Sequence, residues 1–135
     1  VTALPPELLR KGRFDELFFV DLPTAAERAA IVGAALRAHG RGDQGIDVAH
    51  ITKHTGEFTG AELAALVPDA LYAAFADGER PIRTLDLELA AGATVPLART
   101  ADEKVAALRA WAKGRARPAS TPALALVNTG RTLDI

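Results

Sequence analysis

At 135 residues the chain has the length of one ordinary domain, and with 49% apolar but only 5% aromatic residues its core must be built from Ala, Leu, Val and Ile. The 16 basic and 17 acidic residues leave a net charge of −1, which argues against a general nucleic-acid or membrane-surface binder. There is no cysteine, which excludes a disulfide framework and thiol chemistry. No stretch approaches a membrane-spanning length without charge, and no signal-peptide pattern opens the chain, so a cytoplasmic location is the default expectation. The sequence contains no methionine and starts at Val1, which suggests a piece of a longer chain.

In chain order, residues 1–15 read as irregular, with Pro5 and Pro6 adjacent. The run Leu17-Phe18-Phe19-Val20, closed by Asp21-Leu22-Pro23, has the length and aromatic content of a buried strand. One strand cannot make a sheet, so its partner is expected outside this chain or in another copy. Residues 1–23 are accordingly expected to be disordered or packed against another copy.

Three helix starts share the pattern T-x-x-E, at Thr24 to Glu27, Thr59 to Glu62 and Thr100 to Glu103. In this pattern the threonine hydroxyl accepts from the amide three residues on, and the glutamate accepts from the threonine amide. Helices are expected from about Ala25 to His39, with Ile31, Ala34, Ala35 and Ala38 as the apolar face, and near Asp47 to His54. Further helices are expected from Gly60 to Ala76, kinked or broken near Val67 by Pro68, from Thr84 to Ala91, and from Ala101 to Lys113. Val95-Pro96-Leu97 reads as extended, and the chain after Pro118 as irregular.

The common catalytic constellations are missing. There is no G-x-x-x-x-G-K-[ST] phosphate loop. His39, His50 and His54 include one i, i+4 pair, but no carboxylate at a metal-ligand spacing accompanies it, so capping or exposed histidines are the reading and no metal is expected. Arg109, Lys113, Arg115 and Arg117 lie at the end of the last helix, where cations suit the helix dipole. Arg10 and Arg13 stand three residues apart in a loop before the strand. A guanidinium presents a rigid donor fork matched to phosphate, although a surface network with Asp15 or Glu16 would use the same residues.

Two motifs carry a family resemblance. Leu8-Leu9-Arg10-Lys11-Gly12-Arg13-Phe14-Asp15 is similar to the second region of homology of the AAA-type ATPases, L-L-R-x-G-R-[FL]-D. The strand, Asp21-Leu22-Pro23 and Arg28 to Ile31 continue that pattern. Gly56-Glu57-Phe58-Thr59-Gly60-Ala61-Glu62-Leu63 resembles the lid motif of the same family, G-x-[FY]-[ST]-G-A-[DE]-[LI]. Order and separation also match, and the resemblance covers roughly residues 4–80. Residues 81–119, with Val95-Pro96-Leu97 and Leu108 to Ala119, resemble one subgroup found in bacteria and algal chloroplast genomes.

The resemblance implies a mainly α fold, a helical lid bundle preceded by one orphan strand of an absent α/β core. It implies three parts: 1–23 as the end of the ATPase core, 24–98 as the lid, and 99–135 as a C-terminal helix with an irregular tail. Arg10 and Arg13 match the arginines that act in trans on the γ-phosphate held by a neighbouring subunit. Gly60 and Ala61 match positions where the lid backbone comes close to adenine and ribose, and Ile31 matches an apolar residue on the base. Gly60 also suits a capped helix start on structural grounds alone. The family often has histidine four positions after Ile31; here Ala35 stands there. The parent is expected to bind Mg-ATP and to form a ring of copies, hexameric by family habit, with a protein substrate left open as a partner and nucleic acid and membrane not expected. This segment alone is expected to bind ATP weakly or not at all, with no cofactor held by it, and to be inactive. The rival reading is a stand-alone helical interaction module without a nucleotide role.

Overall fold

The computed structural model describes residues 5, 16–42 and 45–120. Two of the three T-x-x-E patterns close as reciprocal caps. The Thr24 hydroxyl accepts from Glu27 N at 3.3 Å while Glu27 Oε2 accepts from Thr24 N at 2.8 Å, opening helix α1 (Ala25–Ala38). Thr59 and Glu62 repeat the arrangement at 3.3 and 2.8 Å and open α3 (Gly60–Ala76). Between them lies the short α2 (Val48–Lys53), capped by Asp47, whose carboxylate accepts from His50 N at 2.9 Å.

The third pattern does not cap. Pro96 starts a helical turn, α5 (Leu97–Thr100), so Thr100 is already helical and its hydroxyl donates back to Leu97 O at 3.2 Å. The next helix, α6 (Asp102–Ala112), begins at Ala101 with no side-chain cap. Its first turn carries Asp102 and Glu103, charges that suit a helix N-terminus. Val95-Pro96-Leu97 is therefore extended only up to Pro96.

α3 is the packing axis. Its buried residues Leu63, Leu66, Val67, Ala70 and Ala74 recur at helical spacing and form one stripe. That stripe meets Val32 and Leu36 of α1, Ile51 of α2, and Leu87 and Ala91 of α4 (Thr84–Ala93), with Phe58 and Ile82 filling the ends. The alanine content lets α1 and α4 lie close against α3. The buried face of α1 is centred on Val32 and Leu36; Ile31 and Ala35 flank it, and Ala34 and Ala38 are exposed. The helix is rotated so that Val32 and Leu36 are fully buried and Ile31 stays at the margin, because these side chains bury more apolar area than alanine does. Pro68 does not break α3, which runs uninterrupted. Pro68 and Ala64 both lie on the exposed side, where water can satisfy the carbonyl that proline leaves without a donor.

The turn from α3 to α4 is held by charge. Gly78 and Glu79 both adopt positive φ, 79° and 57°, and wind the chain so that Arg80 N reaches Ala74 O at 3.2 Å. The Arg80 guanidinium then grips Asp86 with two hydrogen bonds of 2.7 and 2.8 Å, and Asp77 with a third of 2.6 Å. Asp86 is buried, and Arg83 N also donates to it at 2.8 Å. The Arg80 contact, with help from Arg83 N and against the cost of burial, holds the Asp86 carboxyl below its ordinary range.

The strand is paired within its own chain. β1 (Phe18–Phe19) lies parallel to β2 (Arg117–Pro118), in the register Phe18 with Arg117 and Phe19 with Pro118. Gly114, at φ 78°, turns the chain out of α6 toward this pairing. Arg117 N donates to Leu17 O at 2.8 Å and Ala119 N to Phe19 O at 2.9 Å. Pro118, which has no N–H to offer, sits between these two donors, so the ladder loses nothing. This corrects the expectation of an orphan strand and of an unpartnered segment before residue 23: residues 16–23 pack on the chain's own C-terminal segment. None of the helices among the described residues is long and apolar enough to cross a membrane.

Thr59→Ala should lower unfolding free energy by about 1 kcal/mol, and Thr100→Ala by less than about 0.5 kcal/mol, in urea denaturation. Equal losses at the two positions would contradict the capping assignments. Because the Asp86 pKa is depressed in the folded state, its stabilising effect is full above the unfolded value near ~4 and is lost as pH falls through the folded value. Asp86→Asn should cost about 2 kcal/mol at neutral pH, and its stability curve below about pH 4 should be flatter than that of the parent chain. Parallel acid-unfolding curves for the two proteins would refute this.

Candidate functional site

The residues singled out in the sequence fall in different places. Arg10 and Arg13 lie outside the described residues. Gly60 is the first residue of α3, and Ile31 of α1 stands beside it: a Cβ built on Gly60 would meet Ile31 Cδ1 at 3.6 Å. Two separate motifs are thus brought together by the packing of α1 on α3. Ala61 follows on the exposed side of the first turn.

Gly60 borders a groove of about 280 Å³. One wall is the stretch from Phe19 to Pro23, the second is Thr59 and Gly60, and the third is Val105 and Leu108 of α6. The lining is largely apolar, with the Asp21 carboxylate and Thr59 as polar groups. Ile31 backs Gly60 rather than lining the groove. Val105 and Leu108 carried no local signal. Their place depends on where the C-terminal segment folds back.

That fold-back is fixed by charge and hydrogen bonds. Arg109 Nε lies 2.9 and 3.0 Å from the two Asp21 carboxylate oxygens, and Nη2 lies 2.8 Å from one of them. Arg109 holds the Asp21 carboxyl below its ordinary range, outweighing the effect of partial burial. Arg117 pairs with Glu16, and the Ser120 hydroxyl donates to Glu27 at 2.6 Å. The Ser120 bond, joined by the donors of Thr24, also lowers the Glu27 pKa. Arg115 stacks over Trp111 at 5.9 Å and donates to Trp111 O at 3.0 Å. Three of the four basic residues near the end of α6 thus make contacts within the chain.

Glu62 ties the groove to the remainder of the fold. Its Oε2 accepts from Thr59 N at 2.8 Å and from the Thr59 hydroxyl at 2.9 Å, and its Oε1 accepts from Leu97 N at 2.7 Å. Partial burial pushes its pKa up, but the donors from Thr59 and Leu97 together outweigh it and the net shift is downward. Arg28 performs a similar task at the start of α1, donating to Pro23 O at 2.9 Å and to Thr52 O at 3.1 and 3.3 Å. The two contacts set the segment 20–24 against the helical bundle.

No family profile matches the chain. Among known proteins, it is 42% identical over 122 residues to the AAA domain-containing protein ycf46 of Pyropia yezoensis, covering 89% of this chain and 25% of that protein. The ycf46 protein of Trieres chinensis is 35% identical over 128 residues, 93% of this chain and 26% of that protein. The ATP-dependent zinc metalloprotease FtsH of Acidothermus cellulolyticus is 42% identical over 91 residues, 65% of this chain and 13% of that protein. The chain thus spans about a quarter of the length of the ycf46 proteins it matches. A match as short as the FtsH one cannot contain both β1 and β2, whereas the ycf46 matches are long enough to include the strand, all six helices and the fold-back. Taken with the two motifs and the helical fold, these similarities place the chain in the AAA-type ATPase family, as a segment matching the family's C-terminal helical part and similar to the ycf46 group.

Proposed function

We propose that this segment serves ATP hydrolysis in a larger AAA-type protein, as a nucleotide-sensing lid and as the source of arginines that act on a neighbouring copy. The observation that carries the lid role is the bare backbone of Gly60 at the edge of an apolar groove, backed by Ile31. A purine has flat apolar faces and a polar rim. A groove with a glycine edge, apolar walls and one carboxylate suits it, because only backbone without a side chain lets a ring come that near. Ala61, next in the helix, keeps the approach to the ribose free of bulk. Val105 and Leu108 supply a further apolar wall.

Arg10 and Arg13 take the trans role. Their guanidinium groups offset the charge that develops on the phosphoryl oxygens during transfer, and they make one subunit's turnover depend on its neighbour. The sequence holds no phosphate loop, so in this reading the phosphates and Mg²⁺ are gripped by other parts of the protein. The active form is a ring of copies, hexameric in the reading favoured here. The 135-residue segment alone binds ATP weakly and does not turn it over.

In the whole protein, Arg13→Ala should lower kcat by about 10³-fold while ATP affinity changes by only a few fold. Mixing that variant with one unable to bind ATP should restore part of the activity, since each supplies what the other lacks. Turnover unchanged in an Arg10→Ala, Arg13→Ala double variant would overturn the reading. It would favour an interaction module instead, for which the exposed Tyr72 and Phe75 of α3 offer a contact face. Gly60→Val should raise the KM for ATP by about tenfold or more with kcat little changed, because the added methyl groups crowd Ile31 and displace the groove edge that the base approaches. An unaltered KM would remove Gly60 from the site.

A further inference from the structure

The i, i+4 histidine pair gains a third partner from another helix. His50 lies in α2 and His54 is the residue that ends it, so the two rings share one side of the helix, with centroids 5.1 Å apart and planes tilted by 59°. Glu88 of α4 reaches toward them, and its Oε1 stands 3.5 Å from His50 Nε2. One ligand atom from each of the three residues lies within 4.8 Å of the others.

We propose that His50, His54 and Glu88 bind one divalent transition-metal ion of the zinc class, joining α2 to α4. Zinc holds imidazole nitrogen and carboxylate oxygen at about 2.0–2.2 Å, which sets tetrahedral donor atoms about 3.3–3.5 Å apart. The His50–Glu88 pair already has that separation. His54 closes the set by side-chain rotation, since its side chain is exposed. Two neutral imidazoles and one carboxylate select zinc, cobalt, nickel or copper over magnesium and calcium, which favour oxygen ligands.

The frame beneath these side chains is rigid. Ile51 of α2 and Leu87 of α4, each next to a ligand in sequence, are both fully buried in the shared core. The amide of Asp47, which caps α2, donates to the hydroxyl of Thr84, the first residue of α4, at 2.9 Å. The backbone positions that carry the three ligands are thus fixed before an ion arrives, and only the His54 side chain has to turn. The stretch His50-Ile51-Thr52-Lys53-His54 has no glutamate between its histidines and does not reproduce the H-E-x-x-H pattern of hydrolytic zinc sites. The bound ion therefore acts as a cross-link, with its fourth position filled by water.

The test is titration of the full chain with Zn²⁺ by calorimetry, with Co²⁺ as a spectroscopic probe and Mg²⁺ as a control. The expected result is one Zn²⁺ per chain, visible Co²⁺ absorption bands of a four-coordinate ion, and no Mg²⁺ binding. At a hundredfold excess of Zn²⁺ over Kd, the thermal midpoint should rise by about 5–10 °C. His54→Ala and Glu88→Gln should each weaken Zn²⁺ binding about tenfold or more, and because both side chains are exposed the variants should keep the circular dichroism of the parent. No Zn²⁺ binding by the parent chain would overturn the proposal. So would binding of equal strength in both variants, which would put the ion elsewhere.

Discussion

The carboxylate of Glu62 is the constraint on which most of the structure depends. It closes the cap of α3, the helix against which α1 and α4 pack, and it receives the first amide of α5. One side chain thus fixes where the central helix begins and where the C-terminal portion leaves the bundle. Because Gly60 lies in the same first turn, the groove edge is set by the same contact. The downward shift of the Glu62 pKa shows that three donors more than offset the cost of partial burial.

The C-terminal segment adds a second constraint. It leaves the bundle through α5, passes along α6 and returns to the strand before α1, where Arg109 grips Asp21, β2 pairs with β1 and Ser120 reaches Glu27. These contacts bracket residues 20–24, the connection between strand and helical bundle. A bundle that turned about that connection would have to carry α6 with it or break the Arg109–Asp21 pair. The Arg109–Asp21 pair is exposed and contributes little alone, so the geometry rests on the several contacts together. Val105 and Leu108 reach the groove only because this return is made.

The groove and the histidine cluster also differ in how they arise. The groove lies where three chain segments converge and is closed by apolar side chains. The histidine cluster lies on the outside of the α2–α4 contact, where ligands from two helices meet over a shared core. The first is proposed to take a flat organic ring, the second a small cation.

The sequence by itself determined the helices and the two motifs, because both are local. The caps at Thr24 and Thr59 follow from residues three apart, and the buried stripe of α3 follows from helical spacing. Arg10 and Arg13 rest on sequence resemblance alone. The same local reasoning failed at Thr100, where Pro96 starts a turn that takes the threonine into a helix before it can act as a cap. It failed again at Arg117 and Pro118, because a two-residue strand has no periodicity of its own and exists only through its partner. Tertiary structure alone decided that β1 pairs with β2, that Arg109 finds Asp21, that α6 forms a groove wall, and that Glu88 joins His50 and His54. Each brings together residues far apart in the chain, so the contact is fixed by how the helices pack and not by any spacing the sequence displays.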